Sequence, residues 1–244
     1  MIRVHVNGVL GRMGSTCVKA IEAAEDMVLC GSSDAGDDLS ALLASGGAQV
    51  MVDFTVPDAV AASVRAALDC GCHVVCGTTG LRPEQAEALG QLAEEKGVGF
   101  LLAPNFAVSI ILMQRFARDA VRWFQDVEIL ELHHEQKQDA PSGTAIATAR
   151  QIAAAAAAPL NDSRPEQKEL LKGARGGVES NIPIHSVRLP GLLAHQEVLF
   201  GGPGQVLTIR QDTLDRRAFM PGVLLGIRKI LDRRGLVDSL EPLL

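Results

Sequence analysis

The stretch VHVNGVLGRMGSTC, residues 4–17, decides the fold. An alternating apolar run ends in Gly8-x-x-Gly11-x-x-Gly14 and passes into residues that suit a helix. Glycines are needed there because the turn is tight, a pyrophosphate must reach the backbone, and the helix must pack closely on the strand. The helix start then turns unpaired N–H groups and the positive end of its dipole toward phosphates. Asp34 lies about twenty residues beyond Gly14, at the end of the second apolar run, where a carboxylate accepts from ribose hydroxyls. This context predicts a dinucleotide loop; a glycine-rich turn with a surface aspartate is the plainer alternative. Asp34 would repel the 2′-phosphate of NADP, and SSDAGDD (32–38) supplies no arginine to hold one. NADH is therefore the expected cofactor, with NADPH tolerated through Arg12, the one nearby cation.

Outward from this stretch, short β-rich runs alternate with helical patterns. IRVHV (2–6), MVLCG (27–31), QVMVDF (49–54), HVVCG (73–77) and GFLLA (99–103) read as buried strands. Between them, 58–69 places Val60, Val64 and Leu68 on one helical face, and 83–95 does the same with Leu89 and Leu92. This alternation predicts an α/β fold, with a parallel Rossmann-like sheet covered on both sides and ligands at the carboxyl ends of its strands. Those ends are NGVLG, SSDAG, FTVPD, GTTG and APNF.

From about Phe106 the texture changes to that of a second, α+β domain with its own open mixed sheet. A helix over 108–124 carries Leu112, Phe116, Ala120 and Phe124 at helical spacing, and the strand VEILEL follows. A second, alanine-rich helix spans roughly 142–158. Residues 159–183 are polar, broken by Pro and Gly, and read as a mobile loop. IHSVRL, HQEVLF and QVLTIRQ read as strands, with a tight turn at GGPG, and the tail from Phe219 reads as one more helix.

Composition narrows the classes. The chain has 244 residues, 47% hydrophobic and 21% charged, with a formal charge of −6. Such a balance argues against a general nucleic-acid or anionic-membrane binder but leaves room for a local cationic cleft. No secretory leader is visible, and VSIILM is the longest convincing apolar run, far short of a membrane span. Five cysteines, all in the first third, suit a reduced cytoplasmic protein better than a disulfide framework.

The chemistry concentrates in HHEQKQDAPSGTA, residues 133–145. The Ser142-Gly143-Thr144 step opens a helix, and its N–H groups and hydroxyls suit a carboxylate or phosphate. Lys137 supplies charge, and His133 or His134 a proton near neutral pH. If the strand ran through 134 the two histidines would point to opposite faces, so both serve one site only if the chain turns there. Taken singly, the histidines read as solvated, Ser142 as a helix cap and Asp139 as a turn-former. Cys70, Cys72, His73 and Cys76 lie within seven positions, but Cys-x-x-Cys pairs and a distant second ligand group are lacking, so no metal is expected.

Together GRMG (11–14), DFT (53–55), GTTG (77–80), APNF (103–106) and ELHHEQKQDAPSGTA (131–145) resemble the dihydrodipicolinate reductase family of bacterial lysine and diaminopimelate synthesis, over nearly the whole chain. The resemblance implies NAD(P)H-dependent reduction of a cyclic dicarboxylate, 4-hydroxy-tetrahydrodipicolinate. It implies that Gly8, Gly11, Arg12, Met13, Gly14 and Asp34 hold the adenosine half of the cofactor. Gly77, Thr78, Thr79, Ala103, Asn105 and Phe106 would border the nicotinamide. His133 matches the family's proton donor and Lys137 its catalytic lysine. His134, Gly143 and Thr144, beside Ser142, match positions that hold substrate carboxylates. The resemblance further implies a cofactor domain over 1–106 to which 217–244 returns, a substrate-binding and oligomerisation domain over 107–216, and a homotetramer assembled largely through the second sheet.

Two stretches depart from the family. The front loop reads NGVLGRMG where Gly-Ala-x-Gly is commoner, and Glu135 and Gln136 stand where basic or prolyl residues are frequent. A carboxylate at 135 would weaken the anion-binding field around His133. Two other readings stay open at this point: a dehydrogenase of aspartate or homoserine type, against which the His-His-x-x-Lys string argues, and a dinucleotide sensor without turnover.

Overall fold

Branched apolar residues recur along five short segments and build the first sheet of the computed structural model, which describes residues 1–162, 165 and 168–244. Ser163, Arg164, Glu166 and Gln167 lie outside the described residues, and with them part of the expected 159–183 loop. The chain divides into two compact units, Met1–Val108 with Arg216–Leu244, and Ser109–Asp215.

The first unit runs β1 (Ile2–Asn7), α1 (Arg12–Glu22), β2 (Met27–Ser33), α2 (Leu39–Gly46), β3 (Val50–Asp53), α3 (Pro57–Asp69), β4 (His73–Cys76), α4 (Pro83–Lys96) and β5 (Gly99–Leu102). Its six strands are all parallel in the order β11-β5-β4-β3-β1-β2, where β11 is Gly235–Val237. Buried Val4, Val6, Val52, Val74 and Leu101 fill the sheet. One face packs on Val60, Val64 and Leu68 of α3 and Leu89 and Ala93 of α4. Cys17 and Ile21 of α1, and Val223 and Ile227 of α7 (Met220–Ile230), are buried as well. This is the Rossmann-like α/β architecture that the alternation predicted. Two expectations are corrected. β2 is not fully buried: it is the sheet edge, and Val28 is 36% exposed. The tail is not only a helix, since β11 follows α7 and pairs with β5, Leu236 opposite Phe100.

The second unit contains α5 (Val108–Ala120), β6 (Asp126–His133), α6 (Gly143–Ala155), β7 (Gly177–Glu179), β8 (Ile182–Arg188), β9 (Ala194–Gly202) and β10 (Gln205–Thr213). Its sheet is mixed, in the order β10-β9-β6-β8-β7, with β6 and β8 the parallel pair. Ala145, Ala149 and Ile152 of α6 are buried, and Thr148 of that helix accepts from Gln196 of β9 and Gln114 of α5. Three local expectations need correction. The stretch 159–183 is not all loop: β7 and the start of β8 fall inside it, and Asn161 is tied to Val127 at the start of β6 by two hydrogen bonds. The first helix stops at Ala120, and Phe124 stacks beyond it on Phe200 at 5.8 Å. Its packed stripe is Ile110, Met113 and Ala117, while Phe116 is 52% exposed, because an apolar run this dense offers two stripes and packing chooses between them. Among the described residues no helix is long and apolar enough to cross a membrane.

Candidate active site

In the first unit the glycines allow a tight turn and a close helix start. Gly8 has φ +86°, and a Cβ there would come within 2.4 Å of the Phe54 carbonyl oxygen. A Cβ on Gly14 would fall 2.1 Å from the Gly8 carbonyl oxygen, so only glycine lets α1 start this close to the turn. Gly11 caps α1 without a side chain, leaving the first helical N–H groups without a side-chain acceptor. Arg12 is exposed and Met13 half-buried on the first turn.

Asp34 is fixed across from this helix start. Its Oδ2 accepts from the Leu10 N–H at 2.8 Å and its Oδ1 from the Ala35 N–H at 2.8 Å. These two backbone bonds, Leu10 first, hold its pKa below the usual value, so the carboxylate stays ionised and keeps lone pairs for further donors. Asn7, Gly8, Gly11, Asp34, Phe54 and Thr55 are among the residues lining a cavity of about 380 Å³ at this edge. The residues present thus fit a dinucleotide: the backbone is open to phosphates and the acid is aimed at the same cavity.

The remaining predicted cofactor residues divide. A Cβ on Gly77 would lie 2.2 Å from the Phe54 ring, which meets Phe106 edge-on at 6.1 Å. Thr79 is exposed. Thr78, by contrast, is buried, and its hydroxyl donates to Asp53 Oδ1 at 2.6 Å. Ala103 and Phe106 bury their side chains, and Asn105 Oδ1 accepts from the Ala107 N–H at 2.8 Å. For Thr78, Ala103 and Phe106 the structure shows packing and support in place of an exposed side chain.

In the second unit, β6 ends at His133 and the chain turns at once, the Lys137 N–H donating to the His134 carbonyl. The two histidines are therefore not held on opposite faces of one strand. His133 Nδ1 meets Glu131 Oε2 at 2.5 Å. Glu131 is fully buried and also receives both terminal nitrogens of Arg188, at 3.0 and 2.8 Å. Burial alone would raise its pKa, but the hydrogen bonds from His133, Arg188 and Ser186 outweigh that and hold it at about 2. Arg188 reaches on to the Asp139 carbonyl at 2.7 Å, and the Asp139 carboxylate takes Lys137 Nζ at 2.7 and 2.9 Å. That lysine holds the Asp139 pKa below its usual value. His133 and Lys137 are thus joined through Glu131, Arg188 and Asp139.

This arrangement modifies the sequence reading. Lys137 is not a free charge, because Asp139, expected to be a turn-former, is its ion partner. Glu135 is exposed on the turn, and the carboxylate against His133 is Glu131. Ser142 is buried and caps α6, accepting from the Ala145 N–H at 3.2 Å, which leaves Gly143 exposed with open space above it and Thr144 half-buried as the accessible part of that helix start. Glu131 and Arg188 were missed. Alternation along VEILEL put Glu131 on the face of His133 and could have found it. Arg188 had no local signal, since it is brought opposite His133 only by the β6–β8 register.

The cysteine cluster disperses. Cys70 is exposed, while Cys72 and Cys76 face the core, where burial raises the Cys72 thiol to about 11 and Cys76 higher still. His73 Nδ1 accepts from the Gly99 N–H at 2.9 Å. Among the described residues no group of three His, Cys, Asp or Glu side chains could hold a metal ion.

A family model described as the N-terminus of dihydrodipicolinate reductase matches residues 2–106, and one for its C-terminus matches 109–244. The chain belongs to the dihydrodipicolinate reductase family. The 4-hydroxy-tetrahydrodipicolinate reductase of Mycolicibacterium smegmatis is 49% identical across the whole chain and 99% of that protein. That of Synechocystis sp. is 47% identical, across the whole chain and 98% of its own length. A dipicolinate-bound dihydrodipicolinate reductase from Paenisporosarcina sp. TG-14 matches all of both chains with a TM-score of 0.92 at 39% identity. An amine dehydrogenase from Mycobacterium smegmatis, with a TM-score of 0.67 at 12% identity, shares the fold alone. The chain is an NAD(P)H-dependent oxidoreductase of this family.

Proposed function

We propose that this chain reduces 4-hydroxy-tetrahydrodipicolinate to tetrahydrodipicolinate, the 4-hydroxyl leaving as water and the resulting conjugated imine taking up a hydride and a proton, with His133 as the proton donor and Lys137 as the electrostatic partner. The observation that carries this reading is the continuous hydrogen-bonded chain His133–Glu131–Arg188–Asp139–Lys137. A solvated histidine and a surface lysine need no buried, ionised glutamate and no arginine fork to fix them.

The dinucleotide, when bound, supplies a hydride from its nicotinamide ring. Gly8, Gly11 and Gly14 open the backbone to its pyrophosphate, Asp34 takes its ribose hydroxyls, and Gly77 and Thr79 border its reactive end. NADH is the preferred form, because the fixed, ionised Asp34 disfavours a 2′-phosphate. In the second unit, the N–H groups of Gly143 and Thr144 and the Thr144 hydroxyl take one substrate carboxylate, with His134 assisting. Lys137 turns from Asp139 toward the substrate, while the Arg188 contact to the Asp139 carbonyl keeps that loop in place. Glu131 engages Nδ1 of His133 and fixes the ring, so the proton that quenches the developing negative charge leaves from Nε2.

Assembly into a homotetramer belongs to the same reading. It is supported by β10, an edge strand whose residues 205–208 are exposed on both faces, Val206 by 73%. Cysteines that form no disulfide fit a reducing cytoplasm.

Calorimetric titration with dipicolinate tests the substrate half. The wild-type protein should bind it, and Lys137→Ala should weaken binding about tenfold or more, the loss expected for a charged hydrogen-bonding partner. Equal affinity in both proteins would remove Lys137 from the carboxylate site.

A further inference from the structure

Beneath the cofactor cavity a second chain of buried polar groups crosses the ends of β2, β1 and β3 and reaches the loop after β4. His5 Nε2 lies 2.8 Å from Ser33 Oγ, Ser33 Oγ donates to Asn7 Oδ1 at 2.8 Å, and Asn7 Nδ2 donates to Asp53 Oδ2 at 2.9 Å. From the other side the Thr78 and Thr55 hydroxyls donate to Asp53 Oδ1 at 2.6 and 2.8 Å, and the Thr55 N–H joins them at 3.2 Å. His5, Ser33, Asn7, Asp53 and Thr78 are all buried. Strand register holds three of them in one row, Asn7 lying opposite both Ser33 and Asp53.

The direction of every link follows from its end. A carboxylate only accepts, so Asn7 must turn its amide N–H to Asp53 and its oxygen to Ser33. The Ser33 proton is then spent on that oxygen, so Ser33 must accept from His5, whose proton sits on Nε2. Burial lowers the His5 pKa and keeps the ring neutral, as this direction requires.

Four of the five members sit next to a residue of the cofactor cradle, and His5 joins them through Ser33. Asn7 precedes Gly8, Ser33 precedes Asp34, Asp53 precedes Phe54, and Thr78 follows Gly77. The cavity lining includes Asn7, Gly8, Asp34, Phe54 and Thr55. We propose that the His5–Ser33–Asn7–Asp53–Thr78 network is a positioning device that sets the spacing of the four loops of the cofactor cradle, with Asn7 its central residue. The proposal rests on the reading of this cavity as the dinucleotide site. Asn7, Ser33, Asp53 and Thr78 act through their neighbours and His5 acts through Ser33, so a slack link moves the glycine turn relative to Asp34.

Steady-state kinetics with NADH, together with NADH affinity from its fluorescence, test this on the full-length protein. Asn7→Leu strands both Asp53 and Ser33, and should raise the NADH KM and Kd about tenfold, with kcat at saturating NADH and the substrate KM changed less than about twofold. Ser33→Ala should do the same more mildly, and Ser33→Thr, which restores the hydroxyl, should return both constants to within about twofold of wild type. If Asn7→Leu does not fold, the Ser33 pair decides alone. Variants that melt earlier but keep the wild-type NADH KM and Kd would overturn the proposal and leave a purely structural network. A Ser33→Thr protein as impaired as Ser33→Ala would overturn it as well. Asp34→Ala separates this failure from failure of the underlying reading. If it narrows the NADH over NADPH preference while the network variants change nothing, only the positioning role is lost. If Asp34→Ala is itself without effect on that ratio, the cradle and the proposal fall together.

Discussion

At the scale of single residues, a buried charge held by its counter-charges distinguishes the centre of the second unit's cluster. Glu131 has no access to solvent yet is held ionised by His133 and Arg188. Its folded pKa of about 2 lies below the ordinary 4.5, so its contribution to stability is complete above pH 4.5 and is lost as pH falls toward 2. Glu131→Gln should cost about 3–5 kcal/mol at neutral pH, since it leaves Arg188 without its counter-charge. Thermal unfolding of the two proteins across that pH range checks the sign. The gap between their melting temperatures should narrow on acidification, and a gap that is constant or widens would mean that Glu131 is not the ionised centre of the cluster. The residue scale is also where the sequence was hardest to read. Lys137, Asp139 and Ser142 were visible as residue types, but their partners were not. Whether a lysine is free or paired, and whether a serine binds a ligand or caps a helix, is settled by atoms a few ångströms away.

At the scale of elements, period and punctuation carried most of the information. Period-2 runs and glycine turns marked β1 to β5, and the loops after β1, β2 and β3 line the cavity beside Asp34. Gly14 shows what such a motif demands. Because its missing Cβ leaves room for the Gly8 carbonyl, Gly14→Ala must push α1 off the turn, at a cost of about 1–3 kcal/mol and most of the NADH affinity. NADH titration with circular dichroism as a fold check reads both, and undiminished affinity would remove the helix start from the phosphate site. The elements that escaped the sequence are short or lie at edges. β7 and β11 have three residues each, too few to show a period, and both exist only because a neighbouring edge offers unpaired backbone groups. Helix α5 was found with the wrong packed stripe, since a segment apolar on several sides does not say which side faces the core.

At the scale of the whole molecule, the chain carries one sheet whose strand ends line the cavity proposed for the cofactor and a second whose strand end carries His133, the proposed proton donor. The β10 edge of the second sheet, with Val206 and Leu207 exposed, predicts a tetramer in sedimentation equilibrium, and Val206→Asp should shift it to smaller species without loss of secondary structure. A monomer at micromolar concentration would contradict that assembly. Absorbance at the nicotinamide band tests the proposed reaction most directly. Protein is mixed with freshly generated 4-hydroxy-tetrahydrodipicolinate and either NADH or NADPH, beside a His133→Gln sample. Oxidation should require both substrate and protein, proceed faster with NADH, and fall about 10²–10⁴-fold in the variant. NADH binding without oxidation by the wild-type protein, or oxidation undiminished by His133→Gln, would contradict the proposal.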